Sequence, residues 1–214
     1  MNAIIVGARF DGHAKVVFEI MQAEGKYKVV GFIDDNPAMK GKQIRGVSVL
    51  GGFDELNSLI SKHNIQCGIV AIGDNVVRRK LADKIIEHKL ELVNAIHPTA
   101  HLDSDVEIGN GNYIGQGVII VTGSKIGNCV NIHTGSTIDH DNVIEDGANI
   151  GPGVHTAGRV KIGKDAFLGA GTIVIPDGII GEGAITGAGT VVLKIVEPYT
   201  QVVGVPAKKM KDLK

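Results

Sequence analysis

Ser136 to Gly163 read STIDHDNVIEDGANIGPGVHTAGRVKIG, and an aliphatic residue recurs in this stretch at nearly every sixth position. The same phase runs from Ile96 to Val192 without insertion or deletion, and fifteen of its seventeen positions are Ile, Leu or Val. Four residues after each of them stands Ala, Ser, Thr or Val in fourteen of seventeen cases; the exceptions are Asn112, Asn142 and Gly178. A hexapeptide period of this length predicts a parallel β-helix, in which each unit is a short strand and a turn.

Three such units close one triangular coil, so residues 18 apart stack at the interstrand spacing of about 4.8 Å. The aliphatic residue points into the prism, the small residue fits beside a corner, and glycine takes the tight turns. The composition agrees with a narrow interior, because the chain has 30 Gly, no Trp, 5 Phe and 3 Tyr.

The first part of the chain follows a different pattern, in which short β-type runs alternate with amphipathic helical segments. The predicted strands are NAIIVG, YKVVGFID, GVSVLG, CGIVAIG and LELVNAI; the predicted helices lie in GHAKVVFEIMQAEG, GFDELNSLISKHN and DNVVRRKLADKIIEHK. Asp54 and Asp74 lie where helix caps are expected. Alternating strands and helices predict a parallel sheet with right-handed crossovers. We therefore expect a Rossmann-like α/β domain over 1–95, a β-helix over 96–197, and a tail over 198–214 that covers the last coil.

Composition and charge exclude several functional classes. The 214 residues carry a net charge of −1, which gives no basic field for nucleic acid or an anionic membrane. Cys67 and Cys129 lie far apart in the sequence and do not form a C-x-x-C motif. Two such cysteines argue against a disulfide framework and are compatible with a reducing compartment. The N-terminus has no basic leader, and its apolar run is too short to span a bilayer. These features predict a cytoplasmic protein without membrane insertion.

Beyond the repeat, the segments GARFDGHAKVV, GFIDDN, AIGDN and GVPAKKMK resemble those of the left-handed β-helix acyltransferases. The resemblance is to the bacterial branch of nucleotide-amino-sugar N-acetyltransferases, of bacillosamine and perosamine type, and of sialic acid O-acetyltransferases. It implies a left-handed coil, acetyl-CoA as co-substrate, and a homotrimer with active sites between subunits.

The ionisable cluster Asp139-His140-Asp141 is the candidate catalytic centre. Acetyl transfer to an amine needs a base, and imidazole titrates near neutral pH. Asp141 is suited to orient the His140 ring, and backbone N–H groups of the following turns, including that of Gly158, are suited to hold an oxyanion. The resemblance also implies a base histidine followed by an acidic residue. The alternative is that His140 is simply a solvated turn residue.

A donor groove is predicted from turn residues one coil apart, Pro152, Ala170 and Ala188, beside a column of glycines at 151, 169 and 187. The resemblance implies that acetyl-CoA contacts Asn149, Gly158, Ala170 and Ala188, where many relatives carry a histidine in place of Asn149. Turns in any β-helix are small, so the column alone proves little. Lys208 and Lys209 are candidates for the CoA phosphates or ordinary solvated lysines.

The acceptor is expected at the carboxyl ends of the first strands, where open α/β sheets bind ligands. Gly7 and Gly12 permit close approach of phosphate to a helix N-terminus. The spacing is neither G-x-G-x-x-G nor a Walker loop, which disfavours a nicotinamide cofactor. The resemblance implies that His13 contacts the sugar, although it is also placed to cap a helix. The turn that precedes His13 is longer here than the Gly-x-x-Gly-His turn usual in relatives, and its extra residues are Arg9 to Asp11.

Two further groups complete the predicted acceptor site. Asp34 and Asp35 are expected to bond the nucleotide base or ribose. Gly73, Asn75 and Arg78 are expected at the third edge, with Arg78 either binding phosphate or lying on a helix surface.

Metal binding is not expected, because neither His133 nor His155 stands a whole number of coils from His140, so that the three do not share a column. The predicted function is acetyl-CoA-dependent N-acetylation of a nucleotide-linked 4-amino-4,6-dideoxy sugar. Two alternatives remain open at this point: a sialic acid or other sugar O-acetyltransferase, and a non-catalytic solenoid that binds sugar nucleotide. The sequence leaves the sugar and the nucleotide base undefined.

Overall fold

The computed structural model of the protein describes residues 1–8 and 12–213, so the Arg9–Asp11 segment lies outside the described residues. The chain divides into two compact units, Met1–Pro98 and Thr99–Lys214. The limits given above for the α/β domain, the β-helix and the tail stay a prediction.

The first unit is a six-stranded sheet with helices, as predicted from the alternation of strands and helices. Its strands are β1 (Asn2–Val6), β2 (Lys28–Ile33), β3 (Gln43–Ile44), β4 (Val47–Gly51), β5 (Cys67–Val70) and β6 (Glu91–Leu92). Its α-helices are α1 (Ala14–Glu24), α2 (Leu56–His63) and α3 (Asn75–Glu87). The strand order is β3-β4-β2-β1-β5-β6, and all neighbours are parallel except β3 and β4.

Local signals explain where the helices begin and end. The Asp74 carboxylate accepts the N–H of Val77 at 2.9 Å and caps α3, as predicted. Gly25 and Asn64 end α1 and α2 in the left-handed conformation. Asp54 does not cap a helix: it lies inside a 3-10 turn, Phe53–Glu55, whose N-cap is Gly52.

The second part of the chain is a parallel β-helix of two-residue strands. They are β7 (Ala95–Ile96), β8 (His101–Leu102), β9 (Glu107–Ile108), β10 (Tyr113–Ile114), β11 (Ile119–Ile120), β12 (Lys125–Ile126), β13 (Asn131–Ile132), β14 (Thr137–Ile138), β15 (Val143–Ile144), β16 (Asn149–Ile150), β17 (His155–Thr156), β18 (Lys161–Ile162), β19 (Phe167–Leu168), β20 (Ile173–Val174), β21 (Ile179–Ile180), β22 (Ile185–Thr186) and β23 (Val191–Val192). The chain continues as β24 (Ile195–Val196), β25 (Thr200–Val203) and β26 (Lys208–Asp212).

Within the described residues each strand from β7 to β23 ends on a residue predicted to point inward. The six-residue repeat of the sequence therefore coincides with the repeat of strands in the coil. Strands one coil apart pair in parallel, as in Thr137 with His155 and Asn149 with Phe167. Three faces result: β8 to β23, β9 to β24, and β10 to β25, each in steps of three strands. The last coil is shorter, because Ile179 pairs with Ile195. The predicted fold class is confirmed.

The tail closes the ladder with a hairpin. β25 pairs in parallel with β22 and antiparallel with β26. The Tyr199 hydroxyl also bonds the carboxylate of Glu182 in the preceding coil. Among the described helices the longest has 13 residues, and none is long and apolar enough to cross a bilayer.

Glycine directly follows the inward residue at several corners of the coil, and at some of these the next coil leaves no room for a side chain. A Cβ on Gly163 would lie 2.6 Å from the nitrogen of Glu182 and 2.9 Å from the carbonyl carbon of Gly181. Gly169 and Gly151 are crowded in the same way by backbone atoms. Any side chain at these corners therefore pushes two coils apart.

Gly163→Ala should lower the melting temperature by several degrees, since overpacking against backbone costs about 1–3 kcal/mol. The matched control is Lys161→Ala, two residues earlier, which removes an exposed outward side chain. Thermal unfolding followed by circular dichroism measures both. Equal melting temperatures for the two variants would contradict the crowding described here.

Candidate active site

The candidate base stands in the turn between β14 and β15. The ring Nδ1 of His140 lies 2.8 Å from Oδ2 of Asp141, the hydrogen bond expected of a base and its orienting carboxylate. The side chains of His140 and Asp141 are 42% and 61% exposed, so the ring is accessible to a substrate. The carboxylate of Asp139 accepts the backbone N–H of His140 at 2.7 Å, which gives Asp139 the role of a turn residue.

This turn is fixed from inside the prism by residues that the sequence analysis did not select. The buried Asn142 amide donates to the carbonyls of Asp139 at 2.7 Å, Ala157 at 2.8 Å and His140 at 3.2 Å. The buried Ser124 hydroxyl donates to the same Asp139 carbonyl at 2.9 Å. A signal existed in the sequence, because Asn142 is one of the three exceptions to the small-residue column.

The ring of His140 lies over the backbone of Gly158, one coil later. A Cβ on Gly158 would come within 2.3 Å of Nε2 and 2.5 Å of Cε1 of that ring. The Gly158 carbonyl accepts the N–H of Asp177, whereas its own N–H has no acceptor among residues 1–8 and 12–213. A backbone N–H without an acceptor, in the residue over which the ring lies, is available to stabilise an oxyanion.

The predicted donor positions differ in their exposure. Ala170 and Ala188 are exposed, and in the described chain their backbone N–H groups have no acceptor. Asn149 is buried at an outward position of β16, between Asn131 and Phe167. Small exposed side chains with available N–H groups are suited to bind the carbonyls of a pantetheine arm.

Other features predicted for the donor have structural explanations. The glycines at 151, 169 and 187 are crowded by the following chain, so coil stacking alone accounts for that column. Lys209 forms an ion pair with Asp212 at 2.7 Å. Neither observation supports a donor contact at these positions.

In the first unit β2 and β5 are the two parallel neighbours of β1, so the carboxyl ends of these three strands lie at the same edge of the sheet. The carboxylate of Asp34 accepts the N–H of Ala8 at 2.8 Å and that of Asn36 at 2.9 Å. The carboxylate of Asp35 accepts the N–H of Phe53 at 2.8 Å, and its other oxygen lies 4.0 Å from the Lys84 ammonium. Both acidic residues therefore hold loops together at this edge.

A cavity of about 510 Å³ opens beside these carboxylates. Its lining is mostly charged or glycine, and comprises Asp34, Asp35, Pro37, Lys40, Gly51, Gly52, Asp54 and Glu55. Since both oxygens of Asp34 already accept backbone N–H groups, Asp35 has more capacity for a ligand. The structure thus brings Asp34 and Asp35 together at one cavity.

The remaining predicted acceptor residues surround the same edge. Gly7, with φ +100°, has no room for a side chain, because a Cβ would lie 2.9 Å from Ile72. His13 stands at the N-cap of α1 without a capping hydrogen bond, so the alternative role proposed for it is not observed. Gly12 precedes it, and Gly73 follows β5 with open space around its Cα.

Arg78 differs from both expectations. It is fully buried rather than on the surface, and its guanidinium donates to the carbonyls of Ile72 at 3.0 Å and Gly73 at 3.3 Å. It also donates to the side chain of Asn75 at 3.0 Å. Arg78 therefore shapes the loop at the third edge of the crevice.

A further cavity of about 560 Å³ lies along the face formed by β9, β12, β15 and β18 and is lined by residues such as Lys125, Val143 and Glu145. Its walls are not those of the His140 turn, so we assign it no part in catalysis. Within the described residues, no three His, Cys, Asp or Glu side chains converge as metal ligands.

Known proteins resemble this chain in sequence and in fold. A family model described as the PglD N-terminal domain matches residues 2–85. The perosamine N-acetyltransferase of Caulobacter crescentus, solved with CoA and GDP-perosamine, is 38% identical with a TM-score of 0.92, over 99% of this chain and 98% of that one. The acetyltransferase domain of PglB from Neisseria gonorrhoeae FA1090, solved with acetyl coenzyme A, is 29% identical with a TM-score of 0.88, over 98% of both chains.

Among curated proteins, the UDP-N-acetylbacillosamine N-acetyltransferase of Bacillus subtilis (strain 168) is 31% identical over 114 residues, which are 53% of this chain and 50% of that protein. The chain spans about half or less of the length of the curated relatives it matches.

Gly158→Ala should displace the His140 ring and lower kcat about 100-fold, because misplacement of a reacting group by about 1 Å has effects of that size. The melting temperature should change little, since the new methyl meets only a half-exposed ring that is able to turn away. Steady-state kinetics and thermal unfolding of the same preparation separate the two effects. Turnover equal to that of the parent protein would exclude the arrangement of His140 over Gly158 as the reactive one.

Proposed function

We propose that this protein acetylates the amine of a nucleotide-linked 4-amino-4,6-dideoxy sugar with acetyl-CoA. The chain belongs to the family of sugar N-acetyltransferases that includes the perosamine enzyme of Caulobacter crescentus. It is an acyltransferase, and the observation that supports the mechanism most directly is the His140 ring. Its Nδ1 is bonded to Asp141, its Nε2 lies beside the Cα of Gly158, and the N–H of Gly158 has no acceptor in the described chain.

The chain's own groups account for each proton and charge in the transfer. Nε2 of His140 accepts the proton that the amine loses as it attacks the thioester carbonyl, while Asp141 stabilises the imidazolium. The Gly158 N–H donates to the carbonyl oxygen as negative charge develops there. When the carbon–sulfur bond breaks, the imidazolium returns the proton to the departing thiolate, so that the amide and free CoA result.

Acceptor binding is assigned to the first unit. The edge formed by Gly7, Gly12 and the N-terminus of α1 is suited to the phosphates, and Asp35 beside the 510 Å³ cavity is suited to the base or ribose. His13 is assigned to the sugar near the reacting amine. The donor is assigned to Asn149, Gly158, Ala170 and Ala188.

The proposal includes a homotrimer in which one subunit supplies the acceptor crevice and a neighbour supplies His140. Apolar side chains remain exposed at outward positions of the coil, among them Ile119, Ile173 and Phe167, as expected of surfaces buried by association.

We also place the protein in the cytoplasm, in keeping with two buried cysteine thiols.

The function is tested by thiol release from acetyl-CoA with UDP-, GDP- and dTDP-linked amino sugars and with free sialic acid. Burial raises the pKa of the Cys67 thiol to about 11, so this cysteine should add little background at neutral pH. Release with an amino sugar and not with sialic acid is expected. Release with sialic acid alone would make the protein an O-acetyltransferase, and no release with any acceptor would favour a non-catalytic binding protein.

His140→Asn should lower kcat by about 100- to 10,000-fold, the range for loss of a general base, with KM for acetyl-CoA nearly unchanged. His155→Asn is the matched control, because His155 lies on the strand stacked one coil after β14 and its ring contacts the Thr137 hydroxyl at 2.8 Å. Near-parental turnover of His140→Asn would end its assignment as the base.

Shared sites are tested by co-expressing His13→Ala and His140→Ala chains, each of which should be inactive alone. If each site of a cyclic trimer takes one residue from each of two neighbours, random mixing restores about a quarter of the parental activity. Sites built within one chain would give no recovery, since each chain then carries one defect.

A further inference from the structure

One edge of the β-helix carries charged residues where its turns adopt the left-handed conformation. Asp141, Arg159 and Asp177 have φ of 58°, 60° and 61° and stand at the same turn of three successive coils. At the matching turn of another edge, every position from 117 to 189 in the same steps is glycine. Non-glycine residues are disfavoured there, so three in succession on the edge of the candidate base require an explanation.

Arg159 stands one coil away from two carboxylates and bonds only one of them. Its Nε lies 2.7 Å from Oδ1 of Asp177 and its Nη2 lies 3.0 Å from Oδ2, a bidentate pair. Asp141, at the same separation on the other side, is bonded to His140. The hydrogen bond that Arg159 donates to Asp177 raises the pKa of Arg159, and the charge of Asp141 contributes as well, so the guanidinium lies within the field of both.

Two more carboxylates lie along this edge of the coil, Asp139 beside His140 and Asp105 three coils before Arg159, and both are already engaged. Asp139 accepts the N–H of His140. Asp105 accepts the Thr122 hydroxyl at 2.7 Å and the N–H of Gly123 at 3.1 Å. Asp141 is therefore the carboxylate that Arg159 would turn to if Asp177 were absent. A permanently charged, bidentate guanidinium competes strongly with an imidazole for one carboxylate.

We propose that Asp177 is a positioning residue, which holds Arg159 on its far side and so leaves Asp141 to orient His140. The proposal rests on the proposed function for its kinetic consequence, but the hydrogen bond between His140 and Asp141 exists without substrate. Asp177 touches neither substrate nor the base, and acts only through Arg159.

The test compares Asp177→Asn, Arg159→Asn and the double variant, because asparagine tolerates the left-handed backbone at both positions. Asp177→Asn should lower kcat roughly tenfold, a part of what a general base contributes, with both KM values unchanged. Arg159→Asn and the double variant should keep near-parental kcat, since the competitor for Asp141 is gone. Glu107→Gln, which breaks the exposed pair with Lys125, is the control and should have no effect.

Nitrogen NMR of the His140 side chain supplies a readout that needs no acceptor. The ring should be the tautomer with a proton on Nδ1 in the parent protein, in Arg159→Asn and in the double variant. In Asp177→Asn the signal of this tautomer should weaken. Its spectrum should then approach that of Asp141→Asn, which serves as the reference for a ring without its carboxylate. Unchanged spectra and kcat in Asp177→Asn would overturn the proposal, as would a defect that persists in the double variant. A parent inactive with every acceptor would refute the function instead, and the spectra would still decide the role of Asp177.

Discussion

The stacking of one coil on the next is the constraint on which the rest of the structure depends. Backbone ladders such as Arg159 N–H to the His140 carbonyl at 2.9 Å fix each turn over the matching turn of the preceding coil. Space for a side chain is therefore created by a neighbour one coil before or after it. Gly158 makes room for the His140 ring, and Gly123 makes room for the Asp141 carboxylate, since a Cβ there would lie 2.3 Å from Oδ1.

The same stacking explains why a polar side chain is worth burying inside an aliphatic prism. Asn142 satisfies three carbonyls of adjacent turns, and Ser124 accepts the N–H of Asn142 while donating to one of them. Such buried hydrogen-bond networks restrict the conformations of the groups they hold, here with the Oδ1 of Asn142 left without a partner among the described residues. The reactive turn is thus fixed from behind, while its imidazole faces outward.

Much of this was accessible from the sequence because it depends on short-range periodicity. The six-residue phase determined every strand from β7 to β23 in the described chain, and the adjacency of His140 and Asp141 made their contact a local matter. The burial of Arg78 was not accessible, because its acceptors are carbonyls of a loop whose path depends on tertiary packing. Likewise, Asp34 binds the N–H of Ala8, a residue 26 positions earlier, and no motif in the sequence announces such a loop contact.

Adjacent residues rarely have side chains that meet, since in extended backbone successive side chains point to opposite faces. His140 and Asp141 meet because Asp141 has φ of 58°, and aspartate is among the residues that tolerate this region best. Glycine would relieve the backbone and remove the carboxylate, whereas a β-branched residue would be strained there. The left-handed turn that every coil needs in order to close is thereby also the device that places a carboxylate beside the base. This accounts for an ionisable cluster within a repeat otherwise determined by aliphatic spacing, and it makes the chemistry a local variation on the geometry of the fold.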